Sequence, residues 1–166
     1  MAKAGMVNPA NKGEANLMLG SVICMTTLSG KDTEGQLAIV DMRCPEGAGP
    51  GPHTDPWRES FYVLEGEFEF QLERDGALYP TRACPGDTVT IPAGLGHAFR
   101  AISRTPARAL ILSVPAGLDD FFAAAGEPTD SPLPPQELRN FDRARFEAAT
   151  DRSEVRRFVP AGKSPP

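Results

Sequence analysis

Between Glu59 and Leu72 apolar and polar side chains alternate with a period of two, a pattern that suits an extended chain with one buried face. Phe61 and Val63 continue the parity of Glu59. After Gly66 the segment EFEFQLERDG sets Phe68, Phe70 and Leu72 on one side and Glu67, Glu69 and Gln71 on the other. On a helix the same positions would scatter around the axis. Similar short runs recur. SVICMTTLSG and GQLAIVDMRC are rich in β-branched and apolar residues and are separated by the turn-forming GKDTEG. Beyond the turn Arg74-Asp75-Gly76-Ala77 come ALYPTRA, CPGDTVTIP, HAFRAI and ARALILSVP. Short strands at these spacings predict an all-β sandwich or barrel over residues 20–115.

The stretch GPHTDPWRESFYVLEG, residues 51–66, carries the chemistry. If it is extended, His53, Asp55, Trp57 and Glu59 leave the same face, and imidazole and carboxylate together suit a borderline or hard divalent ion. The chain has one other histidine, His97, after the Pro-x-Gly turn of IPAGLGHAF, and it is the natural fourth ligand. His97, Phe99 and Ala101 share a strand face. The expected metal ligands are thus His53, Asp55, Glu59 and His97, with Trp57, Phe61, Val63 and Phe99 around a substrate pocket. Tyr62, Arg58 and Arg100 fall on opposite parity and read as solvent-facing. Trp57 reads more simply as a wall or interface residue than as a catalytic one.

Composition narrows the classes further. A chain of 166 residues with 40% hydrophobic content supports one domain with a core of its own. A net charge of -5 with scattered Lys and Arg gives no basic stripe, so nucleic acid is not an expected partner. No apolar run approaches the roughly 20 residues that span a bilayer, and the N-terminus lacks the apolar core of a signal peptide. A cytoplasmic protein without membrane contact is expected. Cys24, Cys44 and Cys84 form no C-x-x-C pair and read as reduced, buried thiols.

Residues 1–19 read as a loosely docked arm, and PEGAGPGP as a stiff loop that delivers the chain to His53. Residues 116–166 hold the helical features. GLDDFFAAAG puts Leu118, Phe121, Phe122 and Ala125 on one stripe, with Asp119 and Asp120 in the first turn and Gly126 past the end. A Pro-rich linker, EPTDSPLPPQ, leads to a second helix with Asn140 as a candidate N-cap and Asp142 near the positive end of its dipole.

These residues resemble the two signature motifs of the cupins, G-x5-H-x-H-x(3,4)-E-x6-G and G-x5-P-x-G-x2-H-x3-N. His53, Asp55, Glu59 and Gly66 carry the first; Gly86, Pro92, Gly94 and His97 carry the second with every interval kept. Asp55 stands where the first motif has its second histidine, Ala101 where the second has its asparagine, and the opening glycine is out of register. The texture of FYVLEGE and the helix after VPAG is similar to the small cupins labelled quercetin-dioxygenase-like. The resemblance implies a single-domain jelly roll, or double-stranded β-helix, with its ligands projecting into the barrel, and a homodimer formed at one sheet edge.

For function the resemblance implies a divalent-metal enzyme, with Fe, Mn or Ni ahead of Zn. The first expectation is a dioxygenase-type oxidoreductase on a small phenolic, enol or polyketide-like substrate, with Glu59 and Asp55 as its catalytic carboxylates. Asp55 either completes a two-His, two-carboxylate site, binds through a water beside a His53, Glu59, His97 triad, or serves as a base. A redox-neutral isomerase, cyclase or lyase uses the same Lewis acid without O2. A metal-free binding module is the third reading.

Overall fold

The computed structural model describes residues 5–9 and 13–161. In chain order the strands are β1 (Ala15–Met18), β2 (Val22–Leu28), β3 (Ala38–Cys44), β4 (His53–Thr54), β5 (Arg58–Glu65), β6 (Phe68–Arg74), β7 (Ala77–Ala83), β8 (Thr88–Ile91), β9 (His97–Ala101) and β10 (Ala107–Val114). Helix α1 (Leu118–Ala125), β11 (Glu127–Pro128), α2 (Arg143–Arg152) and β12 (Arg156–Arg157) complete the described chain. They form two antiparallel sheets, one of seven strands in the order β11-β1-β2-β3-β10-β5-β8 and one of five in the order β12-β4-β9-β6-β7. This is the expected all-β jelly roll with two short helices.

Alternation in the sequence becomes the core directly. Phe61 projects from the larger sheet against Phe70 and Phe99 of the smaller, with ring centroids 5.1 and 5.2 Å apart. Phe68 and Phe70 are fully buried, while the intervening residues of β6 are only partly so. The β6–β7 hairpin pairs Arg74 with Ala77 across Asp75 and Gly76, whose φ angles are 53° and 78°. Positive φ at both central residues is the two-residue turn whose twist matches its strands, and Asp-Gly is a sequence that tolerates it. Tyr62 is 43% exposed, and Arg58 and Arg100 are exposed as expected.

Three expectations need correction. Residues 15–18 are not part of a loose arm but form β1, whose Leu17 and Met18 are buried, because β2 offers them a free edge and α1 an apolar cover. Residues 1–4 and 10–12 lie outside the described residues. The cap of α2 is Asp142, not Asn140: its Oδ1 accepts from the Arg145 backbone N–H at 2.9 Å, the N-cap to N3 bond. Finally, the C-terminal region supplies strands as well as helices, since β11 pairs with β1 and β12 with β4. No helix among the described residues is long and apolar enough to cross a membrane.

Candidate metal centre

His53 and His97 are brought together by sheet register. They are direct cross-strand partners on β4 and β9, with ring centroids 4.2 Å apart. The loop before β4 lies along β9, with Gly47 N–H donating to the Ala101 carbonyl and Ala101 N–H to that of Ala48, at 2.9 and 3.0 Å. Gly49 permits this approach, since a Cβ there would stand 2.0 Å from the Phe99 carbonyl oxygen. The Pro/Gly-rich stretch is therefore the device that lays His53 beside His97.

The expectation that His53, Asp55, Trp57 and Glu59 leave one strand face is overturned. β4 ends at Thr54 in the five-stranded sheet and β5 begins at Arg58 in the seven-stranded one, so the chain crosses between sheets through residues 55–57. Asp55 sits on the crossing. Its carbonyl accepts from Gly94 N–H at 2.8 Å, which ties the first ligand segment to the Pro-x-Gly turn ahead of His97. The donors still converge because the two sheets face each other. Asp55 Oδ2 is 3.3 Å from Nε2 of both histidines, and Glu59 Oε2 is 3.6 Å from Nε2 of His97. His53, Asp55 and His97 form the tight cluster, with Glu59 beside it.

Hydrogen bonding fixes which atoms are free. Nδ1 of His53 is 2.8 Å from the Gly51 carbonyl and Nδ1 of His97 is 2.9 Å from that of Leu95. A carbonyl only accepts, so in the neutral imidazoles Nδ1 carries the proton and Nε2 presents a bare lone pair. Both lone pairs face a carboxylate oxygen, which is also an acceptor. Asp55 Oδ2 and His97 Nε2 accordingly lack a hydrogen-bond partner among the described residues, although Asp55 is 5% and His97 1% exposed. Acceptors that converge without a proton between them call for a cation. The spacing agrees, since donors about 2.1 Å from one ion at angles of 90–110° stand roughly 3.0–3.4 Å apart. The residues fit a divalent metal. For His53, burial opposes the charged ring, but the Asp55 and Glu59 carboxylates and the Gly51 carbonyl together outweigh it and the net pKa shift is upward. The same anionic environment attracts a metal ion.

Trp57 is buried, but it does not line the cavity. Its Nε1–H donates to Glu59 Oε1 at 3.1 Å, and its ring packs 6.3 Å from that of Phe121 on α1. It therefore orients the Glu59 carboxylate from behind. Outer partners of metal ligands typically carry 10–100-fold of metal affinity. Trp57→Phe, which keeps the packing and removes the donor, should weaken metal binding by about that factor with folding unchanged. Competition titration against a chelating dye measures it, and wild-type affinity in the variant would remove the orienting role.

A cavity of about 430 Å³ is bounded by His53, Asp55 and Glu59, with His97 buried behind them. Phe61 and Phe99 line it, whereas Val63 belongs to the closed core and is fully buried. Other walls were not foreseen from the sequence: Met18 and Val22 from β1 and β2, Phe121 and Phe122 from α1, and Arg156 and Arg157 from β12. The apolar stripe of α1 was the available signal, but only the tertiary fold shows that it covers the barrel mouth. Cys24 also faces this cavity. Burial pushes its thiol well up, and burial raises the Cys44 thiol to about 12, so both stay protonated and inert.

Residues 40–114 match the family described as the cupin domain. A curated relative, the dimethylsulfoniopropionate lyase DddQ of Ruegeria pomeroyi, is 35% identical over 89 residues, 54% of this chain and 42% of that protein. The chain thus matches less than half the length of that relative. Among solved structures, KdgF from a Halomonas species superposes with a TM-score of 0.59 at 20% identity, over 69% of this chain and 99% of that one. Oxalate decarboxylase from Bacillus subtilis, in a study of its Mn(II) centres, superposes with a TM-score of 0.58 at 19% identity, over 69% and 31%. At these identities the two structures speak to the fold. The matched residues run from β3 to the end of β10, so this stretch of the chain is a cupin domain, and both solved structures share its fold.

Proposed function

We propose that this cupin is a metal-dependent enzyme of the redox-neutral lyase kind, acting on a small molecule held in the 430 Å³ cavity. The observation that carries the reading is Asp55 Oδ2, a buried carboxylate oxygen without a hydrogen-bond donor among the described residues, set 3.3 Å from two imidazole nitrogens, with Asp55 and His53 at the cavity wall. A divalent ion bound there supplies Lewis acidity toward a substrate oxygen. His53 and His97 are locked by their carbonyl partners with Nε2 forward, and Glu59 is held by the Trp57 indole. Asp55 keeps a free lone pair for a substrate proton. In an elimination it takes the proton α to a carboxyl or carbonyl group, the C–H electron pair becomes the new C=C bond, and the leaving group departs with its bonding pair. No oxidant enters. The likeness to DddQ, whose name describes a lyase of a propionate, favours this class over the dioxygenase reading, for which the superfamily resemblance alone speaks.

The test is turnover of dimethylsulfoniopropionate and other β-substituted carboxylates by metal-loaded, untagged protein under nitrogen, read as alkene formation. Product at the same rate with and without air, lost after chelation, is the expected result. Oxygen uptake matched to consumption of a phenolic or enolic substrate would assign the dioxygenase class instead. Protein purified without metal and unable to bind it would leave a metal-free binding module.

A further inference from the structure

Among the described residues, the C-terminal strand β12 carries the only Lys or Arg side chains in the cavity lining. It pairs antiparallel with β4 in the register Arg157 to His53 and Arg156 to Thr54. Directly opposed residues of an antiparallel pair stand on the same face of the sheet. Arg157 therefore projects on the side to which His53 turns its imidazole, and both arginines contribute to the cavity lining. The strand is anchored at both ends: Val155 is buried, Phe158 N–H donates to the Pro52 carbonyl at 3.0 Å, and Ala161 N–H to that of Gly76 at 2.7 Å.

The two guanidiniums are used differently. Arg156 bends back, its Nη1 donating to the carbonyls of Val155 and Thr150 at 3.1 and 3.4 Å. Arg157 is exposed and makes no side-chain hydrogen bond or ion pair among the described residues; Arg58, Arg104, Arg139, Arg143 and Arg152 are likewise unpaired there, but of these arginines Arg157 is the one that lines the cavity. Charge points the same way. The Asp55 and Glu59 carboxylates offset a divalent ion, which leaves the arginines uncompensated beside an otherwise apolar wall of Met18, Val22, Phe121 and Phe122. A planar fork of donors next to an apolar chamber suits a carboxylate with a short apolar body.

We infer that Arg157 is the anion-recognition residue of this site and that the substrate class is small carboxylates with an apolar body. The inference rests on the proposed enzyme reading for its metal charge, but not for the placement of β12. The carboxylate is met by a residue from outside the matched cupin domain, so the C-terminal tail sets specificity for ligands bound in the barrel.

Isothermal titration of the 166-residue chain, metal-loaded, with hexanoate and with hexanamide tests this, alongside Arg157→Gln, Arg157→Lys and Arg156→Gln. Hexanoate should bind about tenfold more tightly than hexanamide, as expected for a charge-assisted contact. Arg157→Gln should abolish that preference without changing hexanamide affinity, Arg157→Lys should keep part of it, and Arg156→Gln should keep most of it. Equal affinity for acid and amide in the wild type overturns the inference, as does an equal loss in Arg156→Gln. A preference that survives Arg157→Gln but disappears on chelation places the carboxylate on the metal, which also overturns it while leaving the enzyme reading intact. A preference lost in Arg157→Gln by protein that never holds metal sinks the enzyme reading and sustains the arginine assignment.

Discussion

Replacing His97 by alanine is expected to take the purified protein from near one divalent ion per chain to background, measured by plasma mass spectrometry. His97 is 1% exposed, stands opposite His53 in register, and faces both Asp55 Oδ2 and Glu59 Oε2 at 3.3 and 3.6 Å. It is the imidazole that meets both carboxylates, so its loss leaves a cluster of two carboxylates and one half-buried histidine. Such a set holds borderline ions such as Fe, Ni or Zn only weakly, since imidazole is the donor that suits them. Asp55→His is the informative companion, because it restores the histidine found at that place in the resembled motif. If Asp55 contributes to the site, wild type and Asp55→His both hold metal and His97→Ala does not. Metal absent from wild type and regained in Asp55→His would sink the metalloenzyme reading and identify Asp55 as the substitution that emptied the site.

The strands were legible because one buried face forces alternation: Phe61, Phe68, Phe70 and Phe99 are core residues for the same reason that they repeat at even spacing. The ligand residues were legible by type, since two histidines and two carboxylates at fixed intervals have few structural uses. Their arrangement was not. A single extended strand from His53 to Glu59 satisfies local parity as well as a crossover between sheets does, and only the pairing of β4 with β9 and of β5 with β8 and β10 decides between them. That pairing places Asp55 at the crossing and turns Trp57 behind Glu59. The roles of β1 and β12 were equally hidden, because strands of four and two residues carry too little pattern to register and are held by edges that other strands provide. Arg157 gave no signal at all in the sequence, where it reads as one more solvated charge.

Phe70→Ala is expected to cost about 3–5 kcal/mol of folding stability, against under about 1 kcal/mol for Tyr62→Ala as a surface control. Phe70 is fully buried on β6, with ring centroids 5.1 Å from Phe61 and 5.6 Å from Phe99, so it is the side chain on which both sheets close. Tyr62 lies on β5 but is 43% exposed, so its removal opens no void. The loss at Phe70 combines the transfer of an aromatic ring with the cavity left behind, since β6 is fixed by ladders to β7 and β9 and has little freedom to collapse. For a domain of this size each kcal/mol moves the melting temperature by about 2–4 °C, so a drop of about 6–20 °C should appear in calorimetry. Against a total stability of about 5–15 kcal/mol this is a large share. The effect should reach the site as well, because Phe61 and Phe99 line the cavity and Phe99 lies two residues from His97 on β9. Metal affinity in Phe70→Ala should therefore fall even at temperatures where the chain remains folded. Losses at Phe70 no greater than at Tyr62, by urea titration, would show that the two sheets are not held by this aromatic cluster.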